Sequence, residues 1–380
     1  MRVLLKSIAA QILLNIYIFW WGWKILPKNK AVRTIYTLIF GVELFSYLLL
    51  FFASDYLPLD VVHNLAWITT AWVIFLAYMG GLLLIYDLFR FIEKRKKIFP
   101  TSIDLNSKKL KTKYYFFSLL LILSVMVYGN YRFRNPVVTE MTLNVEKQAS
   151  GITDMKIVMV SDMHVGYLIN KNILNKYVDQ IMAQKPDLIL IVGDIIDYDL
   201  YSVKEQKLEE EFHRLKAPYG VYASTGNHEY IQLDKEKENE KIIWLREKSG
   251  LTLLQDTAIL IQNSFYLVGR EDDKCEGRKS LSQITKGLDK DLPLIVMNHE
   301  PHNLQEEVDC GADIALYGHT HDGQVFPNNI LMRRLYEKSF GYKQKDNTHI
   351  YVSSGLGLAG PQFRIGTISE IVVLNVKFKK

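Results

Sequence analysis

Four apolar runs in the first 130 residues set the strongest limit on how this chain folds. They lie at roughly Val3–Trp23, Val32–Phe52, Ala66–Phe89 and Tyr114–Gly129. A bilayer core takes about 20 residues of helix to cross. Inside lipid a backbone finds no water for its N–H and C=O groups, so a chain segment that crosses alone must be helical. The sequence therefore predicts four membrane-spanning helices. Tyr114, Tyr115, Tyr128 and Tyr131 flank the last run, and Trp20, Trp21 and Trp23 close the first. These rings suit the two membrane interfaces. The first run is long, lacks a small-residue cleavage site after it, and ends in tryptophans where such a site would stand. It reads as a retained helix, not a signal peptide.

Loop charge predicts orientation. The loop after the first run carries Lys24, Lys28, Lys30 and Arg33. The loop after the third carries Arg90, Lys94 to Lys97 and four more lysines between Lys108 and Lys113. The loop between the second and third runs, around Asp55 and Asp60, has no Lys or Arg. Both basic loops should face the cytoplasm, which puts the N-terminus and everything after residue 130 outside. The net charge of +5 is concentrated in this half, so it does not point to nucleic acid. Glu43, mid-helix, is expected to be protonated or hydrogen-bonded, facing another helix near Asn15. Cys275 and Cys310 are read as two unrelated thiols.

The remaining sequence divides into a polar connector, 131–150, with Pro136 as a break, and a globular domain, 151–380. Its pattern alternates strand and helix, which predicts a layered α/β fold. Strands are expected at Met155–Asp162, Asp187–Asp194, from Gly220 running into a loop by Glu229, and at Phe265–Gly269, Leu294–Asn298, Ile314–Tyr317, Ile350–Ser353 and Glu370–Val376. Helices are expected at Ile173–Gln184, Lys204–Leu215 and Lys235–Lys248.

Five short clusters sit at the carboxyl ends of these strands. They read SDMH (Ser161–His164), GDIID (Gly193–Asp197), GNHE (Gly226–Glu229), NHEP (Asn298–Pro301) and GHTH (Gly318–His321). Open α/β sheets build their sites at that edge. Asp162 and His164 lie two apart, so an extended backbone would put both on one side. Asp194 has two oxygens and can bridge two metals, with Gly193 letting the backbone turn closely behind it. Asn227, His228, His299, His319 and His321 add amide and imidazole donors. Together they suffice for two divalent cations. Each cluster alone is weak evidence; five in order are not a coincidence.

The ordered set resembles the calcineurin-like metallophosphoesterase superfamily, and within it bacterial membrane-associated phosphoesterases. The segment HDGQVFP after GHTH and the tail SSGLGLAGPQFRIGTISEIVVL carry that narrower likeness. The resemblance covers residues from about 150 onward. It implies a two-sheet sandwich flanked by helices. It also implies one metal on Asp162, His164, Asp194 and His321, and a second on Asp194, Asn227, His299 and His319. The metals would be Mn²⁺, Fe or Zn²⁺, a ligand set without thiolates. A hydroxide bridging them would attack phosphorus, Asn227 would stabilise charge on the phosphoryl oxygens, and His228 would protonate the leaving group.

Six neighbours are carried as candidates for support or substrate contact. Glu229 is read either as orienting a histidine or as a solvated carboxylate. Asp197 supports the bridging region or caps a helix. Arg270, Asp272 and Arg364 are placed at the substrate mouth, with Arg364 on a second phosphate. Asp322 stands where the group usually has Gly. Glu300 and His302 read as structural. The expectation is an integral protein of a bacterial inner or plasma membrane with an extracytoplasmic catalytic domain. It would hydrolyse a phosphodiester or pyrophosphate close to the bilayer, lipid-linked if tethering sets the substrate. The alternatives are a UDP-sugar lipid pyrophosphohydrolase, which the orientation disfavours, and a non-catalytic metal-binding scaffold, which the complete ligand set disfavours.

Overall fold

The computed structural model describes residues 2–53, 56–231 and 239–379, with backbone alone at 2–8 and 51. Two compact units result, Met1–Tyr131 with Gly360–Phe363, and Arg132–Ala359 with Arg364–Lys380.

The first unit contains helices α1 (Arg2–Ile25), α2 (Lys30–Ala53), α3 (Leu59–Lys96) and α4 (Lys108–Arg134). Each holds one apolar run. Among the described residues, three segments are long and apolar enough to cross a membrane: Lys30–Leu50, Leu59–Lys96 and Lys108–Arg134. The first expected span falls in α1, and its side chains at 3–8 lie outside the described residues, as does Asp55. With 38 residues, α3 rises about 57 Å, far more than a hydrocarbon core needs. Its last turn carries Lys94, Arg95 and Lys96. Ile18 and Trp21 of α1, Phe75, Met79 and Leu83 of α3 and Ile122 of α4 form the interior. Glu43 is buried and accepts a hydrogen bond from Gln11 Nε2 at 3.1 Å, whereas Asn15 Oδ1 accepts from the Trp72 indole at 3.0 Å. Both are polar ties between helices.

The second unit is built on two six-stranded sheets. The first has the order β1 (Val137–Val145), β12 (Glu370–Phe378), β2 (Asp154–Ser161), β3 (Leu188–Val192), β4 (Val221–Ser224), β5 (Thr252–Leu253). The second runs β10 (Gly341–Lys345), β11 (Thr348–Val352), β9 (Ile314–Tyr317), β8 (Leu294–Met297), β7 (Phe265–Gly269), β6 (Thr257–Ile261). Side chains alternate across each strand. Ile157, Met159, Leu188, Leu190 and Val192 meet Leu267, Ile295, Met297 and Leu316 in a core between the sheets. The opposite set, Val158, Val160, Ile189 and Ile191, packs under helices with Leu174, Tyr177, Val178, Ile181 and Trp244. Buried on both faces, β2 and β3 read as continuous apolar runs.

Among the described residues seven α-helices decorate this unit: α5 (Lys171–Ala183), α6 (Tyr201–Glu205), α7 (Glu209–Phe212), α8 (Glu240–Glu247), α9 (Leu281–Ile284), α10 (Leu304–Asp309) and α11 (Asn328–Leu335). Two expectations need correction, and a third is met where the residues are described. The single helix expected over 204–215 is two short ones, interrupted where Lys207 takes φ +52°. The helix expected from Lys235 is helical over Glu240–Glu247, and 235–238 lie outside the described residues. The stretch read as a connector contains β1, which pairs in parallel with β12 from Val137↔Glu370 to Val145↔Phe378. Its side chains alternate in burial, with Val138, Glu140, Thr142 and Asn144 exposed, as an edge strand with one wet face does.

Candidate metal centre

β2, β3 and β4 are mutually parallel, as are β7, β8 and β9. Their carboxyl ends release the five clusters. Asp162 and His164 do converge, but not through strand alternation. β2 ends at Ser161, and Asp162, His164, Asp194, His319 and His321 all take φ between +47° and +70°. Such backbone is uncommon for non-glycine residues and concentrates at functional sites. Hydrogen bonds hold it in place: Asp162 N–H donates to the Gly193 carbonyl at 3.1 Å, and His164 N–H to the Asp194 carbonyl at 3.0 Å. Two glycines permit the approach. A Cβ on Gly193, at φ +69°, would lie 2.4 Å from His299 Nδ1, and one on Gly226 would lie 2.3 Å from Asp194 Oδ1.

The side chains meet in two groups that share Asp194. In the first, His164 Nε2 lies 3.1 Å from His321 Nε2, 3.7 Å from Asp194 Oδ2 and 4.0 Å from Asp162 Oδ1. His321 Nε2 is 3.4 Å from Asp162 Oδ1. In the second, His299 Nε2 lies 3.2 Å from Asp194 Oδ2, and His319 Nδ1 lies 2.9 Å from Asn227 Oδ1. Asp162, His164, Asp194 and His299 are buried.

The tautomers test whether a cation fits. His299 Nδ1 is 2.9 Å from the Val192 carbonyl, which can only accept. Nδ1 therefore carries the proton and Nε2 a lone pair. That lone pair is buried, meets no hydrogen-bond donor and faces a carboxylate oxygen. Positive charge must lie between them. A proton can supply it: burial opposes protonation of His299, but Asp194's charge and hydrogen bond prevail and raise its pKa well above the ordinary value. Asp194 is the mirror case. Burial disfavours its charge, yet His299, His164 and His228 hold it well below the usual carboxylate range. By contrast burial, then the neighbouring charge of His164, pushes His321 well down, which leaves it a lone-pair donor. Hard oxygens and neutral imidazoles without thiolate suit a divalent cation, and the residues present fit one.

A family model for calcineurin-like phosphoesterases matches residues 155–323. An uncharacterized metallophosphoesterase of Campylobacter jejuni is 31% identical over 270 residues, 69% of this chain and 69% of the relative. The chain belongs to the calcineurin-like phosphoesterase family. A metallophosphoesterase of Helicobacter pylori is 31% identical over 229 residues, 59% of this chain and 60% of its own. A Danio rerio transmembrane protein with metallophosphoesterase domain is 27% identical over 257 residues, 64% of this chain and 57% of its own. The chain thus spans less than two thirds of the length of these last two relatives.

In this phosphoesterase the supporting residues differ from their sequence expectations. Glu229 neither orients a histidine nor faces solvent. It is fully buried and accepts from the backbone N–H groups of Asp194, Ile195, Ile196 and Gly226 at 2.8–3.0 Å. Asp197 caps no helix; the side chain of Asp199 takes the N–H groups of Tyr201 and Ser202. Asp197 Oδ1 instead lies 3.1 Å from His228 Nδ1 and 3.6 Å from His164 Nδ1. Burial opposes its charge, but the two imidazoles beside it lower its carboxyl to about 2.

Neither arginine is presented at a mouth. Arg364 is completely buried and donates to the carbonyls of His321, Gly355 and Gly357 at 2.6–3.0 Å. Arg270 is buried against Glu306 and the Lys279 carbonyl. Asp272 is buried, with its carboxyl pushed up to about 6 by that burial. Asp322, at φ +46°, is buried and 3.7 Å from Arg333. Glu300 lies 3.8 Å from His319 Nδ1 and bonds the exposed His302, which stacks on Tyr336.

Three neighbours escaped sequence reasoning. Lys241 reaches in from α8 to the carbonyls of Asp197 and His228. The Tyr198 ring centroid is 4.9 Å from that of His228, and Ser161 Oγ donates to Asp162 Oδ2. Adjacency to Asp197 and Asp162 was the available signal for the last two. Lys241 had none, because its position depends on the path of the chain after GNHE.

Proposed function

We propose that this phosphoester hydrolase acts on a phosphodiester or pyrophosphate near the membrane, lipid-linked in the natural substrate, at a centre of two divalent cations. The observation that carries the reading is the His299 lone pair buried against Asp194, repeated where His164 and His321 face each other. Asp162, His164, Asp194 and His321 would hold one cation, and Asp194, Asn227, His299 and His319 the other, with Mn²⁺, Fe or Zn²⁺ as the candidates. Bound there, the cations supply positive charge to the phosphoryl oxygens and lower the pKa of water enough for nucleophilic attack. Asn227 helps bind the phosphoryl group through its amide. His228, aligned by Asp197, gives a proton to the departing oxygen at Nε2. The basic loops after α1 and α3 support an extracytoplasmic position for the second unit. The bilayer then keeps head groups at high local concentration.

The test is hydrolysis of bis-p-nitrophenyl phosphate by the purified full-length protein, lost on chelation and restored by Mn²⁺. Asp194→Asn and His228→Ala should each lower the rate at least about 100-fold. Full activity in both variants would refute the mechanism. Labelling of cysteines placed in the second unit with an impermeant reagent in intact cells tests the orientation; protection would reverse it.

A further inference from the structure

A cavity of about 580 Å³ opens between helices of the first unit at its basic end. Lys24 of α1, Arg90 of α3, and Lys108 and Lys111 of α4 line it, and among the described residues Asp87 is the one carboxylate in its wall. That carboxylate is already committed. It accepts from Tyr17 Oη at 2.8 Å, Trp21 Nε1 at 3.2 Å and Arg90 Nη1 at 2.7 Å. Arg90 is held further by Asn106 Oδ1 at 3.2 Å. Among the described residues no carboxylate lies within ion-pair distance of Lys24, Lys108 or Lys111. Lys111 feels both Lys24 and Arg90, with Asp87 and Asp104 as the carboxylates in electrostatic reach. Three ammonium groups from two helices thus converge on a space that one neutralised Asp–Arg pair leaves positive. The walls add Trp20, half exposed, and Trp21, rings of the kind that settle at head-group depth.

Like charges gathered at a cavity repel unless an anion joins them. The helices that carry them are those read as crossing the bilayer, so an anionic head group is the ligand within reach. Basic pockets between transmembrane helices bind such groups, with lysines acting as point charges toward phosphate. We propose that this cavity is a binding site for the phosphate of an anionic phospholipid in the leaflet on the basic side, separate from the hydrolytic centre. A free phosphate would satisfy the same lysines, and the test separates the two. The proposal does not depend on the assignment of the metal ligands.

The experiment is native mass spectrometry of the full-length protein released from nanodiscs containing equal phosphatidylglycerol and phosphatidylcholine. Retained phosphatidylglycerol should exceed phosphatidylcholine by more than about tenfold, at roughly fivefold per lysine. Lys24→Gln/Lys108→Gln/Lys111→Gln should abolish the preference, and the matching triple Lys→Arg variant should keep it. Equal retention of both lipids by the wild type overturns the proposal without any variant. So does a preference that survives the glutamine substitutions. In a third arm, inorganic phosphate is added to protein in phosphatidylcholine nanodiscs. Thermal stabilisation by millimolar phosphate, with no phosphatidylglycerol retained in the first arm, overturns the lipid assignment in favour of a free anion.

Discussion

Replacing Glu229 by Gln tests how the metal centre is held together. One carboxylate takes four buried N–H groups, two on each oxygen: Ile195 and Ile196 on Oε1, Asp194 and Gly226 on Oε2. An amide keeps one oxygen and turns the other into an NH₂ that faces two donors. Two hydrogen bonds to a charged acceptor are lost, at about 1.5–3 kcal/mol each, so the cost is about 3–6 kcal/mol. Removal of a buried charge offsets part of it. Burial and the charge of Asp194 push the Glu229 carboxyl upward, against the pull of its N–H partners, so the lower end of the range is expected. For a unit of this size that is a fall of about 6–12 °C in Tm. Function should suffer as well, because the Asp194 backbone loses its tether and its carboxylate serves both ligand groups. A 10–100-fold loss of metal affinity is expected. The assays are a thermal melt of the metal-stripped protein and competition with a fluorescent chelator. A Tm within about 2 °C of wild type together with unchanged metal affinity would refute the reasoning.

Asp197→Asn removes the carboxylate from two imidazoles at once; kcat should fall about 10–100-fold, with metal affinity weakened alongside it, and a variant with wild-type pH–rate profile and affinity would contradict the role given to Asp197. Asp272→Asn should stabilise the metal-stripped protein. The folded carboxyl at about 6 lies above its ordinary value of 3.8, so the native state binds the extra proton and its stability declines as pH rises between those values. The gain should be about 1–3 kcal/mol at pH 8 and near zero at pH 4, read from melts at the two pH values. Arg364→Met should leave the carbonyls of His321, Gly355 and Gly357 without their donor, costing about 3 kcal/mol or more; a phosphate-binding arginine would instead raise KM with no change in Tm.

Much of the site was legible because its signals are local. A strand of β-branched residues ending in Asp or His, repeated in order, marks ligands at one edge of a sheet. Asp162, His164, Asp194, His299, His319 and His321 were all named from such runs, and the structure brings them within a few ångströms of one another. Asp162 and His164 meet for a reason other than side-chain alternation, which requires an extended backbone, whereas both residues are left-handed. Positive φ at an Asp or His leaves no mark in composition.

Other features depended on partners far away in sequence. β1 is a strand because β12, more than two hundred residues later, offers it a ladder. Glu229 is buried because the loop after β3 wraps its N–H groups around it. Arg364 is an internal strut because three carbonyls from two loops far apart in sequence surround it, which solvates the guanidinium as water would. An isolated Glu or Arg in a loop carries no record of this. The sequence by itself determined that the first unit is helical, since each apolar run must satisfy its own backbone in lipid, and that ligands sit at strand ends. Tertiary structure alone decided which charged side chains are buried, because burial of a charge depends on distant groups arriving to pair with it.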